Sequence, residues 1–451
     1  MTTVPTTRLL ARHAVRARGA SLPPPTADAA TAVFLDWCAV TIGGSRTAPA
    51  EKLRQALAGH GGVSQLVGAT GGAEPTVAAL INGTAAHALE LDDIYAPGLY
   101  HPGAPTVAAA LAVADKEGAS GERLLRGITI GFEIGNRVAR TLGPAHYAYW
   151  HTTGTAGSLS AAAAVAEILS LDTEPFAHAL ALAATMAAGL QQTFRADSMG
   201  KPLHSGHAAQ AGVIAGLSAA AGFTGTLDVL DGEIGMGVAM SDSPSWHVID
   251  AAFGPDYLIQ STTVKPYSCC GHTFAAIDAA LELRERGIGP HDVATIEVES
   301  YAAALTVAGN PGPSTPFEAK FSIPFVVAYA LREGHPGTEA FHEATLEAPE
   351  IRKLMAAVRL HDGHEFTEAF PARRGARVVI VDPAGKHHRA TVPDRRGDPE
   401  NPLTPEQLDT KFLSLVDGVV GAGSAVELQR RIRSVREITD VRKLRIGPGD
   451  T

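Results

Sequence analysis

The feature that most constrains this fold is a long succession of helical patterns separated by glycine and proline. From Asp28 to about residue 245, apolar residues recur at intervals of three and four, and Gly or Pro stands at the joins. These segments are rich in alanine, which favours closely packed helices. The pattern predicts one large all-helical block. Thr26 is the predicted N-cap of an early helix, since it precedes an apolar run that ends at a glycine pair.

A second pattern, typical of strands, appears after Lys265. Residues 293–304 are β-branched and alternating, and residues 376–392 predict two strands around an Asp-Pro-Ala-Gly turn. Helix returns after Thr404, which forms a predicted capping box with Gln407. We therefore predict a mainly α fold, in which both chain ends build a large all-helical domain and a smaller α+β lid domain is inserted. The predicted bounds are 1–267 plus 396–451 for the helical domain and 268–395 for the lid.

Composition and charge exclude several classes of protein. A chain of 451 residues usually exceeds one hydrophobic core, which agrees with two domains. The formal net charge of −10 disfavours nucleic acids and anionic membranes as partners. The three cysteines are too few for a disulfide framework, and no segment has the length and apolarity of a signal peptide or a membrane span. We therefore expect a cytoplasmic protein without a nucleic-acid or membrane partner.

Four windows lack Asp and Glu but contain basic residues at Pro or Gly breaks. An anion-binding cleft needs such a separation of charge, and side chains converge on ligands from loops and helix starts. Burial of alanine-rich helices would also exclude acids, so no single window identifies a site. The windows are 94–114 with His101, 134–166 with His146 and His151, 198–227 with Lys201, His204 and His207, and 257–277 with Lys265 and His272.

Other kinds of site match the sequence poorly. It has no phosphate-binding loop, no dinucleotide fingerprint after a strand, no nucleophile elbow and no His-Glu-x-x-His motif. His204 and His207 could offer imidazoles to zinc, but no carboxylate partner stands beside them. Cys269 and Cys270 could form a reactive thiolate near Lys265, although a buried, inert pair is the preferred interpretation. We therefore expect no metal and no cofactor.

Four motifs occur in a fixed order: NGTAAHALELDDIY, MGKPLHSGHAAQAG, VKPYSCCGHTFAAIDAALEL and AKFSIPFVVAYAL. Together they resemble the MmgE/PrpD family, which includes 2-methylcitrate dehydratase, cis-aconitate decarboxylase and iminodisuccinate epimerase. The resemblance covers about residues 7–446. It implies a helical domain with an α+β lid, usually a homodimer, and cofactor-independent acid/base chemistry on a small-molecule di- or tricarboxylate between the two domains.

The resemblance also implies which residues form the site. Lys201 and Lys265 are expected to bind carboxylates, and His101 and His151 to transfer protons. Tyr147 resembles a tyrosine proposed as an acid/base in the epimerase branch. The acidic pair before the first window is expected to orient His101 or a lysine. The expected catalytic residues are Asp93, His101, Tyr147, His151 and Lys201, and the expected substrate-binding residues are Glu90, Asp92, His204, Lys265, Cys270 and His272.

Three departures from the family pattern bear on the reaction. This chain has Cys270 where the decarboxylases look to have a histidine, Phe325 where they have a tyrosine, and Glu90 where they have an aspartate. We therefore expect a lyase, with dehydration ranked ahead of decarboxylation. Epimerisation of an amino- or imino-dicarboxylate is the alternative reaction, and a non-catalytic anion-binding protein is the alternative of another class.

Overall fold

The computed structural model describes residues 4–59, 61–196 and 198–448. It divides into two compact units, the first made of the described residues up to Val264 and from Thr404 onward, the second of Lys265–Leu403. Helices predominate over strands throughout, so the predicted mainly α fold is confirmed. Among the described helices, none is long and apolar enough to cross a membrane.

The first unit is a stack of helices with one very short strand pair. Helix α7 is buried along its whole length and packs against α5, α6, α8 and α9. The elements are α1 (Thr6–Ala17), α2 (Pro24–Gly44), α3 (Ala48–Leu57), β1 (Ser64–Gln65), β2 (Gly72–Ala73), α4 (Pro75–Ala88), α5 (Gly103–Glu117), α6 (Gly121–Tyr147), α7 (Thr152–Ile168), α8 (Thr173–Met186), α9 (Gly200–Ala220), α10 (Met236–Met240), α18 (Pro405–Val420) and α19 (Ala422–Arg433).

The helix ends test two predictions made from local sequence. Thr26 lies inside α2, whose N-cap is Pro23, so its predicted role as an N-cap is wrong. Proline can occupy the first turn because the N–H that it lacks would have no intrahelical partner there. At the start of α18, Thr404 and Gln407 form the predicted capping box, with the Gln407 N–H donating to Thr404 Oγ1 over 3.3 Å.

Two close contacts hold elements of the first unit together. Gly83 of α4 faces Gly206 of α9, and a Cβ on Gly206 would overlap the Thr84 hydroxyl and the Leu80 carbonyl. The absence of a side chain lets the two helices approach closely. Lys411 of α18 donates to the Leu91 carbonyl over 3.0 Å, and so ties the chain's last part to the loop after α4.

The second unit contains a four-stranded sheet in the order β4-β3-β5-β6. β3 pairs in parallel with β4, and the other neighbours are antiparallel. The strands are β3 (Thr295–Ser300), β4 (Val358–Asp362), β5 (Ala376–Val381) and β6 (His387–Val392), and the helices are α11 (Phe274–Glu285), α12 (Ala302–Ala308), α13 (Pro316–Ala319), α14 (Ile323–Arg332), α15 (Glu343–Leu346), α16 (Pro349–Ala357) and α17 (His364–Ala369).

The strand predictions are confirmed for β5 and β6 and only partly for β3. Alternation in β3 ends at Ser300, and the alanines that follow form α12 instead of extending the strand. β4 was not predicted, because only Val358 of its five residues is buried and the strand has no clear alternation. The parallel partner β3, distant in sequence, provides its ladder.

Candidate active site

The loop between α4 and α5 is held in one conformation by backbone bonds and by a left-handed turn. Glu90 has φ of 60°, a value that lets the chain leave the helix abruptly. Ile94 exchanges backbone hydrogen bonds of 2.9 and 2.8 Å with Thr263, and the Tyr95 N–H donates to the Tyr100 carbonyl over 2.7 Å. The loop therefore presents its acids and His101 from a fixed frame.

Asp93 caps the helix that follows this loop. Its carboxylate accepts the Gly103 N–H at 2.9 and 3.1 Å, at the start of α5. Asp93 is 4% exposed, and burial followed by the nearby Asp92 raises its pKa well above the usual value. Asp93 therefore caps α5, and its catalytic role stays a prediction.

Asp92 lies between two imidazoles. Its Oδ2 is 2.6 Å from Nδ1 of His87 and 3.5 Å from Nδ1 of His101. His101 Nδ1 also lies 2.8 Å from the Asp93 carbonyl, which can only accept, so Nδ1 carries the proton there. One carboxylate thus lies close to both rings, and the role of the acidic pair in orienting His101 stays a prediction.

His87 is a member of the cluster that sequence reasoning missed. It is fully buried in the last turn of α4, and its ring centroid lies 4.8 Å from that of His101 and 5.4 Å from that of His151. Its Nε2 has no hydrogen-bond partner within the described part of the chain. The signal was present, because residues 75–89 also lack Asp and Glu and contain His87.

His151 and His204 form a second imidazole pair, with 3.2 Å between their Nδ1 atoms. Burial, followed by the charges of His87 and Lys201, holds the pKa of His151 well below its usual value. Burial and the neighbouring histidines lower the pKa of His204 to about 4. Both rings are therefore neutral near pH 7, so one Nδ1 donates and the other accepts.

Lys201 places a cation beside these rings. Its Nζ forms an ion pair with Glu90, and the Phe194 ring centroid lies 5.4 Å from the same atom. Phe194 also contacts His151 edge-on, at 4.9 Å between ring centroids. The Lys201 and Glu90 side chains are 15% and 13% exposed, so the cation is sheltered but reachable. Glu90 contacts the lysine in this structure, and its predicted contact with substrate stays a prediction.

The remaining predicted site residues belong to other segments: Tyr147 to the end of α6, and Lys265, Cys270 and His272 to the second unit. Tyr147 is half-buried in the last turn of α6. The other three belong to the second unit, where Lys265 is 2% exposed and His272 Nδ1 lies 2.7 Å from the Tyr301 hydroxyl. Cys269 is buried, and burial raises its pKa to about 12, whereas Cys270 is only half-buried, so the predicted buried pair is found for one of the two cysteines.

Three of the clustered groups have donor atoms close enough to hold a metal ion. The donor atoms of His87, Asp92 and His101 lie within 4.8 Å of one another. The Nδ1 atoms of both rings are already hydrogen-bonded, that of His101 to the Asp93 carbonyl and that of His87 to Asp92. A histidine that binds a metal commonly keeps such a bond on its other ring nitrogen, so each ring would offer its Nε2 atom to a metal here. The expected absence of a metal stays a prediction.

Two family models match the chain, and the match of the second extends beyond Leu403 into α18 and α19 of the first unit. A family model described as the MmgE/PrpD N-terminal domain matches residues 8–249, and one described as the MmgE/PrpD C-terminal domain matches residues 267–437. The chain is 27% identical to a cis-aconitate decarboxylase of Homo sapiens over 81% of this chain and 78% of the relative. It is 25% identical to a cis-aconitate decarboxylase of Aspergillus terreus over 94% of this chain and 91% of the relative.

Proposed function

The chain belongs to the MmgE/PrpD family, and on this premise we propose that it is a cofactor-independent lyase acting on a small di- or tricarboxylate. The observation that carries the proposal is a group of four histidines with Lys201 beside them. Asp92 contacts His87 and His101, and His151 pairs with His204. Relatives named cis-aconitate decarboxylases support a carboxylate substrate. His151 and His204 are neutral near pH 7 because burial lowers their pKa values, and a neutral imidazole can accept a proton.

His151 is assigned as the base. It is neutral near pH 7, because burial lowers its pKa, and a neutral imidazole accepts a proton. A bound polycarboxylate would reduce the cost of charging this ring, since a nearby anion stabilises the imidazolium. His204 at 3.2 Å would keep the ring oriented. Removing a proton next to a carboxylate leaves a carbanion that the Lys201 ammonium stabilises.

His101 is assigned as the acid. A proton on its ring is stabilised by Asp92, 3.5 Å away. In dehydration, His101 would protonate the departing β-hydroxyl, giving an alkene and water. In decarboxylation, the carbon–carbon bond breaks to release carbon dioxide, and His101 would protonate the carbanion that remains.

Dehydration is proposed ahead of decarboxylation because of the departures in the sequence. Phe325 is fully buried among aromatic neighbours and has no hydroxyl to offer a substrate. Glu90 is one methylene longer than aspartate, and it occupies Lys201. The names of the relatives favour decarboxylation instead, so this reaction is the second candidate.

The test is a mass-resolved assay with citrate, 2-methylcitrate, cis-aconitate and amino-dicarboxylates. Loss of water supports dehydration, loss of carbon dioxide supports decarboxylation, and solvent deuterium incorporated without another mass change indicates epimerisation. His151→Gln should abolish turnover, while the matched variant His178→Gln on α8 should retain it, since the contacts of His178 are with Gly225 and Glu174, outside the cluster. Full turnover by His151→Gln would refute the assignment.

We also propose that the protein is a homodimer. Leu203 and Ile214 of α9 are 40% and 41% exposed, and Leu190 beside them is 57% exposed. With Leu80 and His207, Leu190 and Leu203 line an open hollow on this face. An apolar helix face of this kind is suited to contact with a second copy. Ile214→Glu should convert a dimer into a monomer in light scattering. The predicted cytoplasmic location stays a prediction.

A further inference from the structure

Arg374 is a buried cation whose Nε has no hydrogen-bond partner among the described residues. It lies between α17 and β5 and is 8% exposed. Its Nε is buried and makes no hydrogen bond, and no carboxylate of the described residues forms an ion pair with its guanidinium. The Phe370 ring centroid lies 5.6 Å from its Cζ, so an aromatic face covers one side of the group.

The acid Asp398 is already bonded to a second arginine, Arg395. Arg395 is fully buried, and its Nε and Nη2 donate to Asp398 over 2.8 and 3.0 Å. Its Nη1 donates to the Gly271 carbonyl over 2.6 Å. Arg395 is thus satisfied, and Asp398, whose charge also acts on Arg374 and raises its pKa, has both carboxylate oxygens bonded to Arg395.

Two neutral polar groups stand beside these arginines. His272 Nδ1 lies 2.7 Å from the Tyr301 hydroxyl, and the Tyr301 ring stacks on Phe370 at 4.7 Å. Burial, then Arg374 and Arg395, lower the pKa of His272 to about 3, so this ring is neutral. Burial followed by Arg395 also lowers the pKa of Arg374. Both effects have the sign expected where positive charge is in excess.

We propose that Arg374, with the Tyr301 hydroxyl and His272 beside it, forms a binding site for a carboxylate in the second unit. A guanidinium presents paired N–H donors that match the two oxygens of a carboxylate, and the charged hydrogen bonds formed are strong in a buried setting. An isolated buried charge is costly, so an anion that supplies the missing partner stabilises the fold. The inference goes beyond the proposed reaction, because it requires no catalysis by the histidine cluster.

The test measures how much an anion protects the protein against thermal unfolding. Wild type, Arg374→Met and Arg373→Met are compared at pH 7 with chloride alone and with citrate at the same ionic strength. Arg373→Met is the matched control, because it removes a neighbouring positive charge that is half exposed and already bonded to Asp394. Any citrate bound elsewhere protects all three proteins alike and cancels in the comparison.

Citrate should raise the unfolding midpoint of wild type and Arg373→Met by at least about 2 °C more than that of Arg374→Met. In chloride alone, Arg374→Met should unfold at or above the wild-type temperature, because an unpaired buried charge has been removed. An equal rise in all three proteins overturns the inference. If Arg374→Met does not fold, Arg374→Lys replaces it, because this variant keeps the charge and loses the paired donors. Citrate should then raise its unfolding midpoint less than that of wild type.

A repeat with acetate identifies the kind of carboxylate. An Arg374-dependent rise with acetate supports a site for a lone carboxylate, and one with citrate alone supports a site for a polycarboxylate such as a substrate. The absence of the effect with both anions refutes the site. An inactive protein that shows the Arg374-dependent rise would refute the proposed lyase and leave this inference standing, so the two failures are distinguishable.

Discussion

Lys411→Met should destabilise the first unit by about 3–5 kcal/mol, the cost of breaking a buried ion pair from one side. Lys411 Nζ is 2.5 Å from Asp36 Oδ1, and the two side chains are 7% and 2% exposed. At an effective dielectric constant near 20, the gross attraction at this distance is about 7 kcal/mol, much of which offsets the desolvation of both ions. The variant removes the cation and leaves the carboxylate buried. It also removes the hydrogen bond to the Leu91 carbonyl.

The assay is urea unfolding followed by circular dichroism, with turnover measured on the folded protein. Arg433→Met is the matched control, since its pair with Asp409 joins α19 to α18, the helix that carries Lys411, but the side chains are 39% and 36% exposed, and such pairs contribute about 0–1 kcal/mol. The double variant Asp36→Asn with Lys411→Met should recover about 2 kcal/mol of the loss. A Lys411→Met protein within about 1 kcal/mol of wild type would show that this pair does not hold the site loop.

Three further outcomes are expected. Lys201→Met should lower kcat/KM by about 100-fold or more, since a charged contact to the substrate is lost, whereas Glu90→Gln should leave the lysine charged and cost less in a steady-state assay. His87→Phe keeps the ring beside His151 but removes the bond to the acid, so kcat should fall about 10- to 100-fold at similar KM, and an unchanged kcat would exclude a functional role. Burial lowers the pKa of His146 to about 4, so between pH 6.5 and 4 the unfolded state binds a proton that the folded state does not. Stability should therefore decline across this window as pH falls. His146→Gln should flatten the decline in unfolding midpoints measured against pH.

The fold could be predicted where local sequence carries the signal. The capping box at Thr404 and the hairpin of β5 and β6 depend on residues close in sequence, and both were predicted correctly. The predicted N-cap at Thr26 was wrong because α2 begins earlier, at Pro24. β4 was missed because its ladder is supplied by β3, far away in the chain.

The candidate site was predicted in part, from the separation of charge along the chain. The windows led to His101, His151, Lys201 and His204, and the structure brings these residues together. They gave no sign of Lys411, because an ordinary amphipathic helix explains a lysine there. The residues that the windows identified stand at Pro or Gly breaks, which are visible in the sequence. The residues that were missed do not.

The sequence by itself determined that the chain is mainly helical, which segments form the helices and which basic residues stand in acid-free surroundings, because periodicity and composition are local properties. Only the tertiary structure decided that Asp92 lies between His87 and His101 and that the Nε of Arg374 is buried without a hydrogen-bond partner among the described residues. Such relations depend on how closely helices such as α4 and α9 approach, and on burial, which changes the cost of each charge. Neither quantity is a property of a segment taken alone.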